Sequence, residues 1–280
     1  MDIITEHAER VETRLGRLHT RSVGTGRLTV LWPSMFVDGH TWDRILPLLA
    51  EGSSVPRHFV VVDPPGLGRS DPLRRRSSIA EATEAARELL AHLALGVADP
   101  RADWVGNAFG GHVGFGLATD DPASLRSLIA ISSPVEAISP ALRRQIGMLK
   151  PLLRIAGPVG PVRDAVVSAM LTDASAATPG IRRTVIDSLR RPGKASMSLA
   201  LRSFILDRTD VSHTLAGIRV PSLFVASDDR GDWSPADAER SAAATPGAEV
   251  VTVAGARTLV PLEQPGALAA RILAFWAAHP

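Results

Sequence analysis

Along most of the chain, short apolar runs alternate with stretches whose apolar residues recur every three or four positions. Leu28–Trp32, Phe59–Val62, Leu128–Ile131 and Ser222–Ala226 are continuous or nearly continuous hydrophobic runs, the pattern of strands buried on both faces of a parallel sheet. Glu249–Val253 reads as the last strand. Ahead of these, polar and apolar side chains roughly alternate over residues 11–23, which predicts an antiparallel hairpin or edge pair before Gly24-Thr25-Gly26. Between the runs, Trp42, Ile45, Leu46, Leu48 and Leu49 predict a helix over 41–50. Ile79, Ala82, Ala86, Leu89, Leu90 and Leu93 predict another over 78–95, with Ser77 or Ser78 as its cap and Glu81 in its first turn. Two more are expected over about 235–245 and from Pro265 to about Ala277. Such alternation predicts a doubly wound, mostly parallel sheet with right-handed crossovers.

Residues 138–214 break the rhythm. Helical stretches follow one another around 140–156, 160–173, 179–191 and 195–207, separated by Gly157-Pro158, Thr178-Pro179-Gly180 and Pro192-Gly193, with no strand pattern among them. The organisation expected is a core of residues 1–136 and 215–280 with a helical cap, 137–214, inserted over the sheet's C-terminal edge. Residues 137–210 carry twelve Arg or Lys against five Asp. Most of these arginines read as solvated helix faces, with Arg154 and Arg202 the alternatives for a cation turned inward to an anionic ligand.

Composition narrows the classes. The 280 residues, 45% hydrophobic, suffice for one large α/β core. Thirty-one basic against 29 acidic residues leave +2, too little to argue for nucleic acid or an anionic membrane as partner. The absence of cysteine excludes disulfides, thiolate metal sites and a cysteine nucleophile. The first residues lack the basic and apolar regions of a secretion signal and no apolar run approaches ~18 residues, so a soluble cytoplasmic protein is the expectation. No cofactor or metal is implied, and the oligomeric state is not legible.

Chemistry concentrates at Asp103-Trp104-Val105-Gly106-Asn107-Ala108-Phe109-Gly110-Gly111-His112-Val113, an apolar run that turns through glycines into a helix. It resembles the strand-turn-helix elbow of the α/β-hydrolase superfamily, whose Gly-x-Ser-x-Gly turn lifts a serine to the top of the sheet. Asp63-Pro64-Pro65-Gly66-Leu67-Gly68-Arg69-Ser70 is similar to that family's Asp-x-Pro-Gly-x-Gly-x-Ser segment, and the likeness spans nearly the whole chain, the cap least. The resemblance implies the α/β-hydrolase fold with a helical cap.

It also implies a triad in the order nucleophile, acid, histidine. Ala108 stands at the nucleophile position, and Thr258, in Gly255-Ala256-Arg257-Thr258-Leu259, stands at the histidine position. After the strand ending at Ala226 the acid position offers Asp228 or Asp229, with spacing favouring Asp229, either as a base or as an ion-pair member with Arg230 or Arg257. The oxyanion donors implied are the amides of Phe109 and Met35, although Pro33-Ser34 replaces the family's usual His-Gly. Ser34 is a candidate for positioning or attack, or a turn residue. Glu136 is an alternative acid or a surface residue; His40 and His112 lie near the site by position, His112 also reading as a core histidine. Trp32, Phe36, Phe109 and Trp233 are expected either to line an apolar cavity or to pack as core.

Three functions compete. The first is a non-hydrolytic, cofactor-free lyase, isomerase or cyclase acting on a carbonyl-bearing apolar small molecule through the oxyanion pocket. The second is a catalytically inactive ligand-binding relative, and the third a hydrolase with rearranged catalytic residues.

Overall fold

A computed structural model describes residues 6–280; the reading of the first five residues lies outside them. The antiparallel pair begins earlier than the alternation suggested, as β1 (His7–Val11) and β2 (Leu18–Val23). β3 (Arg27–Trp32), β4 (Arg57–Val62), β5 (Ala102–Asn107), β6 (Leu125–Ile131), β7 (Ser222–Ser227) and β8 (Glu249–Val253) complete one eight-stranded sheet in the order β1-β2-β4-β3-β5-β6-β7-β8. β2 pairs antiparallel with β1 and β4, and every other neighbouring pair is parallel.

Successive strand residues point to opposite faces, and the core divides accordingly. Val30, Val60, Trp104, Leu128, Ala130 and Phe224 pack on the face covered by α2 (Ile79–Leu93) and α3 (Phe109–Asp120). Leu31, Val61, Val105, Ile129 and Val225 pack on the other, against α1 (Leu46–Gly52) and α11 (Pro265–Ala278). Both faces are buried, which is why these strands read as unbroken hydrophobic runs. Beneath the sheet Arg57 donates to Asp103 at 2.5 Å and lies over the Trp276 ring, 3.6 Å from its centroid.

The helix expected over 41–50 is instead two pieces. Asp38 caps a single 3-10 turn, Gly39–Trp42, by accepting from the His40 amide, and α1 begins afresh at Leu46 with Pro47 in its first turn, where a missing N–H costs nothing. In α2 the cap is Ser78, which accepts from the Glu81 amide. Toward the C-terminus lie α9 (Pro235–Ala243) and a short α10 (Val260–Glu263).

Between β6 and β7 come α4 (Pro140–Ala156), α5 (Pro161–Met170), α6 (Asp173–Ala177), α7 (Pro179–Arg190) and α8 (Lys194–Ala200), the last running on as one π-helical stretch, Leu201–Leu206. The short α6, capped by Thr172, left no periodic trace in the sequence. These helices share a third apolar cluster with Val37 and Leu259 from loops at the sheet's end and with Leu262 of α10.

Candidate active site

The elbow is built by close approach. A Cβ on Gly106 would lie 2.2 Å from the Gly110 carbonyl, and one on Gly110 2.2 Å from the Trp32 oxygen, so both positions admit only glycine. Between them Ala108 is held at φ 47°, ψ −101°, a left-handed conformation that costs an alanine about 1–3 kcal/mol. The Phe109 amide follows at the first position of α3, and no side chain caps that helix. The Gly111 and His112 amides bond the Ala108 carbonyl, while those of Phe109 and Gly110 have no partner within the helix and make this end electropositive.

Above the elbow lies a cavity of about 750 Å³. Ser34, Met35, Phe36, Ala108, Phe109 and Thr258 all line it, so six of the positions singled out from the sequence meet around one cavity. The helices between β6 and β7 supply the apolar side, including Leu142, Ile146, Leu149 and Leu153 of α4 and Val162 and Val166 of α5. Trp32 and Trp233 are not on the wall. Trp32 is fully buried behind it, between Trp104 and Phe109, and Trp233 packs on Phe224. Phe109 itself stacks on Phe204 of the π-helical stretch.

Asp229 does not line the cavity either. It accepts from Arg257 Nη2 at 2.9 Å and from Arg230 Nε at 3.1 Å. Burial opposes its ionisation, but the hydrogen bonds from Arg230 and Arg257 outweigh that and hold the carboxyl below the ordinary carboxylate range. A carboxylate so held is a weak base near neutral pH, and the ion-pair alternative describes its surroundings. Asp228 is spent on the turn, accepting from the Gly255 amide at 2.8 Å.

The loop that carries Thr258 is a fastening between cap and core. Arg257 Nη1 donates to the Ser168 carbonyl, Thr258 Oγ1 to that of Ala169, and the amides of Thr258 and Leu259 both reach that of Met170. The carbonyls at the end of α5, which have no partner within their own helix, are thereby satisfied, and a guanidinium sits at the helix's negative end. Asn107 Nδ2 holds the Thr258 carbonyl at 2.8 Å, and Glu263 accepts from the Arg257 and Thr172 amides, each at 2.8 Å.

His112 is on the cavity wall but almost wholly buried. Its Nε2 donates to the Pro134 carbonyl at 2.7 Å, leaving Nδ1 as an unpartnered acceptor. Burial, reinforced by nearby Arg208, pushes its pKa down to about 3, so the ring stays neutral. His40 pairs with Asp43 instead, and neither His40 nor Glu136 reaches the cavity. Arg154 and Arg202 point to solvent; the inward cations are Arg208 and Arg257, with Lys150 and Arg230 also on the wall. Arg208 was not distinguishable from its neighbours by periodicity, since it follows the π-helical stretch, which shifts the helical phase. Among the described residues no group of three His, Asp or Glu side chains is placed to hold a metal ion.

The backbone marks the same place. Phe36, Ala108, Ser132 and Arg230 are the non-glycine residues with positive φ among those described, and all four line this cavity.

No curated protein sequence matches the chain. Among solved structures it is similar to a thermophilic esterase from Thermogutta terrifontis (19% identity, TM-score 0.82, 98% of this chain and 100% of that one). It is also similar to a hydrolase from Pseudomonas aeruginosa PA01 (24%, 0.82, 96% and 98%) and to the enol-lactonase from Burkholderia xenovorans LB400 (20%, 0.83, 96% and 100%). At these identities the likeness speaks for the fold. Residues 29–271 match the sequence pattern of the alpha/beta hydrolase family, and with the strand order, the strained elbow and the cap already described, the chain belongs to that family.

Proposed function

We propose that the cavity is a small-molecule site that takes a largely apolar, carbonyl-bearing ligand and does not act on it through an acyl-enzyme, the protein being a cofactor-independent, non-hydrolytic enzyme of the lyase, isomerase or cyclase type. The observation that carries this reading is the gathering around one cavity of all four positive-φ non-glycine residues among those described, because strain of that kind persists where the surroundings impose it and clusters at functional sites. Ala108 has no hydroxyl and Thr258 no imidazole, so the nucleophile and the general base of acyl transfer are both missing. What remains is the amide pair of Phe109 and Met35, which can hold charge as it develops on a carbonyl oxygen, an effect of about 3–4 kcal/mol per donor.

A second reading, a ligand-binding relative without turnover, is favoured by Asp229, whose attachment to two arginines removes the carboxylate that the enzymatic reading had available as a base. Two measurements separate the readings. A fluorophosphonate probe and p-nitrophenyl butyrate are expected to leave the protein unmodified and unhydrolysed; stoichiometric labelling would restore a serine hydrolase. Aliphatic ketones and lactones that raise its melting temperature are then followed by NMR. Their conversion supports the enzyme, while binding without conversion supports the binding protein.

A further inference from the structure

The cavity is not only apolar. Arg257 is 3% exposed, and its Nε–H is buried without an acceptor while Nη1 and Nη2 are taken by Ser168 and Asp229. Arg208 has a side chain 9% exposed, donates from Nη1 to Asp232 at 3.0 Å, and likewise keeps a buried Nε–H with no acceptor. Both line the cavity. Leaving a donor on a buried cation unpaired costs more than an ordinary hydrogen bond contributes, so the protein alone does not fully satisfy either guanidinium.

The charge count points the same way. Four cations line the cavity, Lys150, Arg208, Arg230 and Arg257, against one acid, Asp232. Asp229 and Asp173, off the wall, pair with Arg230 and Arg257, which still leaves Lys150 uncompensated. His112, the wall's buried acceptor without a partner, is neutral and does not repel an anion.

We infer that the ligand is an anion: an aliphatic carboxylate whose charged end is drawn to the cations of the lining, Lys150, Arg208 and Arg257, and whose chain lies along the α4 and α5 side chains. Guanidinium suits a carboxylate because it offers planar, charge-assisted donors. The inference rests on the small-molecule site proposed above and adds the chemical class.

Isothermal titration with octanoate, octanamide and octylamine tests it. The expected order is octanoate at least tenfold tighter than octanamide, with octylamine weakest. Arg208→Met is expected to weaken octanoate tenfold or more and leave octanamide unchanged. Arg257→Met should do the same, with its fold checked by circular dichroism because it also fastens the cap; the wild-type comparison of the three probes stands whatever that variant does. Octanamide binding as tightly as octanoate would overturn the inference while leaving the site intact. Failure of all three probes to bind would overturn both.

Discussion

Arg257 donates to Asp229 across 2.9 Å from the residue next to Thr258, so a guanidinium engages the carboxylate at the acid position. Asp229 then serves the join between cap and core. Arg257→Leu is expected to destabilise the protein by about 2–3 kcal/mol, the usual size of lost hydrogen bonds to a charged group, as read by urea denaturation. Because the Asp229 carboxyl titrates below its unfolded value, its contribution is complete above about pH 4 and disappears as pH falls further toward the lowered folded value. Any turnover measured between pH 5 and 9 should show no ionisation belonging to Asp229.

The same pairing decides what rebuilding a triad would take. Ala108→Ser alone supplies a hydroxyl without a base and should remain inert to fluorophosphonate. Ala108→Ser with Thr258→His adds an imidazole, but Arg257 competes for Asp229. Adding Arg257→Ala should therefore raise the labelling rate of that pair by at least tenfold. Equal rates with and without Arg257 would show that the guanidinium does not occupy the carboxylate.

Gly106→Ala is expected to prevent soluble folding, since its methyl group would overlap the Gly110 backbone, which cannot move without dismantling the elbow. Gly147→Ala, with nothing within 4 Å of the added carbon and a helical position in α4, should raise stability by about 0.5–1 kcal/mol. The contrast, measured by expression and thermal melting, separates a glycine needed for approach from one merely tolerated.

Asp103→Leu should cost about 3–5 kcal/mol, because it strands Arg57 in a site where both side chains are only 2% exposed. Asp103→Leu with Arg57→Met should recover most of the loss. A double variant as unstable as the single one would mean that the stacking of Arg57 on Trp276 matters more than the charge.

His112, with a folded pKa of about 3 against an unfolded value near 6.5, adds a pH dependence of known sign. Its stabilising effect is complete above about pH 6.5. It is lost as pH falls from there toward 3, at a slope approaching ~1.4 kcal/mol per pH unit. His112→Asn should flatten that part of the curve, and the imidazole signals should stay at their neutral positions down to pH 5.

How far the sequence could be read follows from what each feature leaves behind in one dimension. β3, β4, β6 and β7 announced themselves because burial on both faces makes them largely apolar, and α4 began and ended where its spacing and Gly157 placed it. The elbow was legible from Gly106 and Gly110, whose need for glycine is steric. Trp32 and Trp233 stayed undecided between cavity and core, since a large apolar residue near the sheet's end looks the same whether it faces a cavity or the layer behind it. Arg208 was no more conspicuous than the arginines around it, and Arg257 stood out only as a possible partner of Asp229, for burial of a cation depends on distant partners such as Asp232 and Ser168. The break between Trp42 and Leu46 was hidden because both pieces contribute apolar side chains at helical intervals.

The fastenings of the helices between β6 and β7 are uneven. α5 is stitched to the 257–259 loop, Arg191 beyond α7 reaches the buried Asp38, and Ser196 of α8 bonds both Gly66 and Leu73. α4 bonds through side chains only to its own neighbours, by Arg143 to Leu206 and by Lys194 to Ile155, and it carries Pro151 in its middle, where an internal hydrogen bond is lost. One panel of the enclosure thus hangs from the others and never from the wall. Local opening at that panel would therefore break fewer bonds to the core than lifting α5, α7 or α8 would.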